Sequence, residues 1–488
     1  MILRTIYRTM GSKSSDICEE GVDGISFASK VILAPMVRTA TLPMRLLSLK
    51  FGAHIVYTEE IIDYKLIKCK RFVNSVLGTI DYIDDDGVIV FRTCSAEKDR
   101  LVLQLGTSDA SRAVIAAKLV EEDVSAIDVN MGCPKSFSIK GGMGSALLTQ
   151  PQKVYDILNS LVKNIGKPIT CKIRVLPSIE ETLSLVQLIE KSGVKALAVH
   201  GRTQSERPKD KNRNDLIRAI AQTLNIPVIA NGGSDQIQCY ADIERFRLET
   251  CCSSVMLGRV AQKNASIFIN RQSLLPMDDV IEQYLKLCVD FDNNVINTKY
   301  VIQQMLGPLQ DTPRGKALLS AQSLKTICDL WHLNSYCDNR ESLKRELSSK
   351  LFNEQKSIPI KKLRTSEDNE EKCFVQMPVI FMRGLFKDND LPKSRLLSYI
   401  QRNSLEAPVY QTKQIEKHFN CVLTLNKKSY SSLYLEKNKR YAEQGSALVV
   451  LLALNLIDDS NIVNNCVVND LNRIEVKSDS KTFYIKIS

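Results

Sequence analysis

From Val31 onward, short apolar runs alternate with longer amphipathic stretches. The short runs are VILAPM, HIVYTE, LVLQLG, AIDVNMG, PITCKIRV, ALAVHGR, PVIANGG and SSVMLGR. Between them fall TLPMRLLSLKFG, DASRAVIAAKLVEE, PQKVYDILNSLVKNI, EETLSLVQLIEKSG and NDLIRAIAQTLN, whose apolar residues recur at helical spacing. Strand alternating with helix predicts a parallel sheet. Eight such units between residues 31 and 277 predict a closed α/β architecture, the (β/α)8 TIM barrel. A doubly wound sheet is the alternative, but no G-x-G-x-x-G follows the first strand.

A barrel gathers its chemistry where strands end. In order, those ends carry Pro35-Met36, Glu59, Gln104, Asn130 with Cys133, Lys172, His200, Asn231-Gly232-Gly233 and Gly258-Arg259. Within the fifth run, a period of two puts Thr170, Lys172 and Arg174 on one face and Cys171, Ile173 and Val175 on the other. If the first set faces the axis, two cations stand where a structural strand would have valine. Buried unpaired charge is costly, so an anionic ligand is expected there. Cys133 sits just past a strand end, between Gly132 and Pro134 and ahead of Gly141-Gly142-Met143-Gly144. A thiol so placed is poorly sited for packing and well sited for chemistry. Tandem glycines after strand seven and Gly-Arg after strand eight fit a phosphate grip by backbone N–H groups.

Beyond the barrel, residues 278–352 read as several helices, among them DDVIEQYLKLCVDFDN, KYVIQQMLGPL and KALLSAQSLKTICDLWHL. Residues 353–373 are charged and almost free of apolar clusters, which predicts a linker. Residues 374–457 then give a helix, a Pro-led strand, a hairpin and a final helix opened by Lys437, Lys439 and Arg440. That segment holds twelve Lys and Arg against six Asp and Glu. Cations at a helix start oppose its dipole, so a purely solvated face is a poor explanation for them. Residues 1–30 are an N-terminal extension, and residues 458–488 a tail without an assigned role.

Composition narrows the classes. With 488 residues the chain is long enough for two or three domains. The net charge of +11 is compatible with a polyanionic partner. Fourteen cysteines are scattered, without a CxxC pair, and the four histidines are isolated, so neither a disulfide framework nor a metal site is expected. No run approaches a membrane span. The N-terminal MILRTIYRTM lacks a signal-peptide core, so a cytoplasmic location is expected. Its two arginines leave a mitochondrial presequence as the alternative.

The motifs ILAPMVR, NMGCPK with GGMGSALL, TCKIR, VHGR and ANGG resemble those of the flavin-dependent tRNA-dihydrouridine synthases. The α-β-β-β-α order after residue 374 resembles a double-stranded-RNA-binding domain, as in the eukaryotic branch that modifies position 20 of the D-loop. The resemblance implies bound FMN reduced by NADPH, with tRNA as substrate and a monomeric enzyme. Pro35, Met36 and Val37 would lie against the isoalloxazine, with Gln104 and Lys172 at its polar edge. Asn231, Gly232, Gly233, Gly258 and Arg259 would hold the phosphate, with His200 close by. Asn130 and Arg174 would touch the uracil, and Cys133 would give a proton to its C5 after hydride reaches C6. Lys437, Lys439 and Arg440 would meet RNA phosphates across a groove.

Two other classes compete: a double-stranded-RNA-binding regulator whose barrel is a scaffold, and an FMN barrel acting on a small molecule. A scaffold would not need Cys133, Lys172 and His200 at strand ends. A small-molecule enzyme would not need the basic C-terminal domain.

Overall fold

The computed structural model describes residues 24–355, 374–386, 390–415, 418–436, 438–457, 462 and 466–467. Eight parallel strands form the expected ring: β1 (Val31–Leu33), β2 (Ile55–Tyr57), β3 (Leu101–Gly106), β4 (Ala126–Met131), β5 (Ile169–Arg174), β6 (Ala196–His200), β7 (Val228–Asn231) and β8 (Ser254–Leu257). Each pairs with its neighbours in sequence, and Val31 to Leu33 pair with Val255 to Leu257 to close it. The two faces of each strand divide as a closed sheet requires. Leu103, Ile127, Val129, Ile173, Leu197 and Val199 point outward into a core shared with the helices. Ile32, Ile55, Tyr57, Val102, Ala126, Ala198, Ile229 and Met256 point inward.

The helices lie where the amphipathic stretches predict, at Leu42–Lys50, Ala110–Val120, Pro151–Asn164, Ile179–Lys191 and Asn214–Thr223. Local chemistry starts them. Asp109 accepts the Arg112 N–H at 2.8 Å and Ser178 accepts the Glu181 N–H at 3.1 Å, so both act as N-caps. Proline occupies the first turns of Leu42–Lys50 and Pro151–Asn164, where its missing N–H costs nothing.

The described part of the N-terminal extension closes the barrel floor. Phe27 joins the interior cluster, and its carbonyl accepts the Ser254 hydroxyl at 2.6 Å while the Lys30 N–H donates back to that oxygen at 2.8 Å.

Between β2 and β3 lies an antiparallel sheet of Lys70–Asn74, Thr79–Ile83 and Ile89–Cys94, which the run-by-run reading does not contain. Arg92 in this sheet pairs with Asp81 at 2.6 Å and also donates to the Phe291 carbonyl, tying the insertion to the helices that follow the barrel. Those helices are Met277–Asp290, Val295–Leu306, Pro313–Ser320, Leu324–Asp329 and Asn334–Gln355. Val280, Ile281, Tyr284 and Leu285 of the first are buried in the same core as the barrel helices. The last helix runs to Gln355, past the expected start of the linker; residues 356–373 lie outside the described residues.

The C-terminal unit has its own core. A helix (Pro392–Arg402), antiparallel strands β9 (Val409–Ile415), β10 (His418–Leu425) and β11 (Lys428–Ser432), and a helix (Lys439–Ala453) make the double-stranded-RNA-binding fold. Two additions extend it. Phe374–Met377 pairs parallel with β11, and Ile462 and Cys466, in the stretch expected to be tail, are buried in its core.

Under the insertion, Arg45 and Glu97 form a two-pronged ion pair at 2.7 and 2.8 Å, with both side chains almost wholly buried. The remaining Arg45 donors reach the Ala40 and Arg92 carbonyls at 2.7 Å, and Thr93 donates to Glu97 at 2.8 Å. A buried pair this well satisfied adds little net stability, yet losing one partner strands a charge. Glu97→Ala should therefore destabilise the barrel by ~3–5 kcal/mol, read as a lowered urea midpoint in far-UV circular dichroism.

Candidate active site

Above the apolar floor the barrel interior turns polar, and strand register sets the order. Gln104 is level with Asp128, Asp128 with Thr170, Asn130 with Lys172, and His200 with both Arg174 and Asn231. Asp128 is fully buried, accepting Gln104 Nε2 at 2.8 Å on one oxygen and the Thr170 hydroxyl at 2.7 Å on the other. Burial lifts its carboxyl to about 6, against the opposing pull of those hydrogen bonds and of Lys172. Asp128 was not among the residues expected at the site, although its place two residues before Asn130 puts it on the same inward face.

Thr170, Lys172 and Arg174 do face the axis. Lys172 lies beside Ala198 of β6, whose small side chain leaves room for it. Burial and the neighbouring Arg174 lower its ammonium to about 8. The Lys172 ammonium has no hydrogen bond or ion pair from the described residues. His200 Nδ1 is likewise buried without a partner. Burial, followed by the charges of Lys172, Arg174, Arg202 and Arg259, pushes its imidazole far down, so it is neutral. A pocket with this much positive charge and two unengaged polar groups fits an anionic ligand.

Cys133 is free and half-buried beyond β4. Asn130 Oδ1 shapes its turn by accepting the N–H groups of Gly132 and Cys133 at 3.0 and 3.1 Å. The Cys133 carbonyl accepts both the N–H and the hydroxyl of Ser145, at 3.0 and 2.9 Å. Gly144, at φ +58°, is required there: a Cβ would come within 2.7 Å of that carbonyl. Arg174 clamps the same loop, its Nε donating to Gly132 at 3.0 Å and its Nη1 to Thr203 at 2.7 Å. Burial, and then the Glu60 charge, push the Cys133 thiol up. It is an acid at neutral pH, not a thiolate.

The glycine-rich ends divide in role. Gly232 adopts φ +105°, and a Cβ there would meet Asn212 Oδ1 at 2.2 Å. Arg202, buried and absent from the expected site, holds the turn by donating to the Gly232 carbonyl at 2.8 Å. Gly233 makes way for the Phe246 ring, 2.6 Å from its would-be Cβ. A Cβ on Gly258 would make only ordinary contact with Ala34 at 3.7 Å and the Met36 sulfur at 3.9 Å, and Gly258 precedes Arg259, which opens a short helix. Asn231 Nδ2 is engaged by the Met256 carbonyl at 2.8 Å. Pro35 and Met36 lie at the β1 end; Val37, on the same turn, is 58% exposed. Elsewhere, Lys439 and Arg440 are exposed on the first turn of their helix, whose N-cap Asn438 accepts the Tyr441 N–H at 2.9 Å. Lys437 lies outside the described residues. Among the described residues no cluster of His, Cys, Asp and Glu suits a metal ion, and no helix is long and apolar enough to cross a membrane.

Residues 32–357, the barrel and the helices behind it, match the family described as dihydrouridine synthase (Dus). The chain belongs to the dihydrouridine synthase family. A relative from Schizosaccharomyces pombe, named tRNA-dihydrouridine(20) synthase (NAD(P)+), is 38% identical over 321 residues. That match covers 63% of this chain and 65% of the relative. The protein of the same name from Saccharomyces cerevisiae is 36% identical over 302 residues, covering 58% of this chain and 78% of its own. A solved double-stranded-RNA-binding domain of human tRNA-dihydrouridine(20) synthase is 31% identical over 19% of this chain and 96% of its own, with a TM-score of 0.17.

The raised Asp128 carboxyl has a consequence for this family member's stability. Asp128 binds its proton more tightly folded than unfolded, so its contribution is present at low pH and is lost as pH rises from about 4 through about 6. The lift from 3.8 to about 6 corresponds to ~3 kcal/mol. Asp128→Asn should flatten the stability profile over that interval, measured as urea midpoints against pH.

Proposed function

We propose that this chain is an FMN- and NADPH-dependent tRNA-dihydrouridine synthase that reduces a D-loop uridine, at position 20, to 5,6-dihydrouridine. The carrying observation is a free Cys133 at the β4 end, its thiol raised by burial, beside a cup in which His200 Nδ1 is buried without a partner and the Lys172 ammonium has none among the described residues. The names of the relatives above support the substrate, the position and the nicotinamide donor.

The residues present fit FMN. Lys172 and Gln104 would meet its polar ring edge, with Pro35, Met36 and Val37 at its face. Gly232, Gly233, Gly258, Arg259 and Asn231 would surround the phosphate, with His200 Nδ1 free to share it. Bound there and reduced by NADPH, FMN supplies hydride for C6 of the uracil. Negative charge then grows on the uracil carbonyl and C5, and the Cys133 thiol donates the proton to C5. A thiol whose pKa is raised stays loaded for that task at neutral pH. Lys172, fixed in place before substrate arrives, offsets negative charge within the cup. Arg174 and Asn130 would meet the uracil; the bonds they make to the Cys133 turn mean that they also set where the thiol points.

A uridine must leave its stack to reach the barrel mouth, at a cost of a few kcal/mol that other contacts must offset. The C-terminal domain, with Lys439 and Arg440 exposed at a helix start, is the source we assign.

Two measurements test this reading. Cys133→Ala should keep its flavin and be reduced by NADPH at the parent rate, while reoxidation by tRNA slows by roughly 10²–10⁴. Single-turnover flavin absorbance reads both steps, and unchanged reoxidation removes Cys133 from the chemistry. Replacing Lys437, Lys439 and Arg440 together with alanine should weaken tRNA binding several-fold and reduce the slope of log K against log salt by about one for each lost phosphate contact. Binding isotherms at several salt concentrations show whether it does, with flavin reduction by NADPH as the unaffected control.

A further inference from the structure

Beside Cys133 stands a carboxylate with no role so far. Glu60 follows β2 and precedes the two-residue strand Ile61–Ile62, which pairs with Leu105 and Gly106 at the end of β3 and so fixes Glu60 against the Cys133 loop. Gly106 makes the space: a Cβ there would lie 2.8 Å from Glu60 Oε1. One carboxylate oxygen, Oε2, accepts the hydroxyl of the buried Ser138 at 3.3 Å. The other, Oε1, is buried without a partner. Ser138 and Cys133 share one small space, since a Cβ on Gly144 would meet Cys133 Cβ at 3.0 Å and Ser138 Cβ at 3.2 Å.

We propose that Glu60 is a positioning residue for the proton donor: joined to Ser138, it holds Cys133 as the thiol and returns a proton to it after each turnover. This rests on the synthase reading above. In each cycle the Cys133 S–H bond breaks and a C–H bond forms at uracil C5, leaving the electron pair on sulfur as a thiolate. Glu60, beside the new thiolate, then takes up a proton from bulk solvent and passes it to the sulfur through the Ser138 hydroxyl, so that thiol and carboxylate are both restored. While ionised, Glu60 raises the thiol by its charge; burial raises its own carboxyl, which readies it to take up a proton once a thiolate forms beside it. Of the other charged groups nearby, Lys172 and Arg174 act on the thiol in the opposite sense, Glu59 is engaged by the Arg38 N–H at 2.8 Å, and Asp63 is paired with Arg112 at 3.0 Å.

The first readout needs neither flavin nor RNA. Alkylation of Cys133 by iodoacetamide in the full chain, followed by peptide mass spectrometry, gives the thiol's midpoint against pH. Glu60→Gln should move that midpoint down by about one unit, making alkylation at neutral pH ~10-fold faster. Glu60→Asp, which draws the charge back by one methylene, should give a smaller shift the same way and serves if Glu60→Gln does not fold. On tRNA, Glu60→Gln should lower kcat with KM unchanged. An unmoved midpoint in a folded variant overturns the proposal. A moved midpoint, where the unsubstituted chain itself forms no dihydrouridine in tRNA, overturns the synthase reading instead and leaves the thiol–carboxylate pairing standing.

Discussion

Ring closure is the constraint on which the site depends. Once β1 pairs with β8, alternate residues of every strand must face an axis that water reaches only from the mouth. For β5 this drives Lys172 and Arg174 inward together, and like charges in a confined space need counter-charge or other employment. Arg174 is employed by the carbonyls of Gly132 and Thr203, and Asp128 supplies part of the balance. What remains on Lys172 is left for a ligand. The charge excess of the cup follows from which side of one strand the cations occupy.

The period of two in PITCKIRV and the polar residues at successive strand ends were enough to locate the barrel, the mouth and most of the proposed site. The residues that escaped are those whose roles exist only across strands. Asp128 reads as one acid in an apolar run until register sets it level with Gln104 and Thr170. Arg202 reads as a strand-end cation until folding brings it under the Gly232 turn. Glu60 follows Glu59 at the same strand end, and nothing in the run separates the two acids until Gly106 is seen to make room for the second. The insertion of residues 70–94 escaped because counting alternating units treats everything between two strands as connection. At the C-terminal end, Ile462 and Cys466 are too sparse to reveal that the core continues past Ile457.

The two halves of the molecule divide their physics. The barrel packs one apolar core against its helices and a second inside the ring, and the C-terminal unit forms a core of its own. Contacts to phosphate are electrostatic and salt-sensitive, whereas the cup works by exclusion of water and fixed hydrogen bonds. Placing them in separate cores lets each be tuned without repacking the other.

The floor made by Phe27 bears on how the catalytic half can be cut free. A fragment trimmed at Val31, the first strand residue, would look complete by strand count. It would nonetheless lack the aromatic stopper and leave the Ser254 hydroxyl without the Phe27 carbonyl. Solvent could then enter the cup from beneath and weaken every electrostatic contact that its dryness strengthens. The working boundary of the domain is set by this stopper, several residues ahead of its first strand.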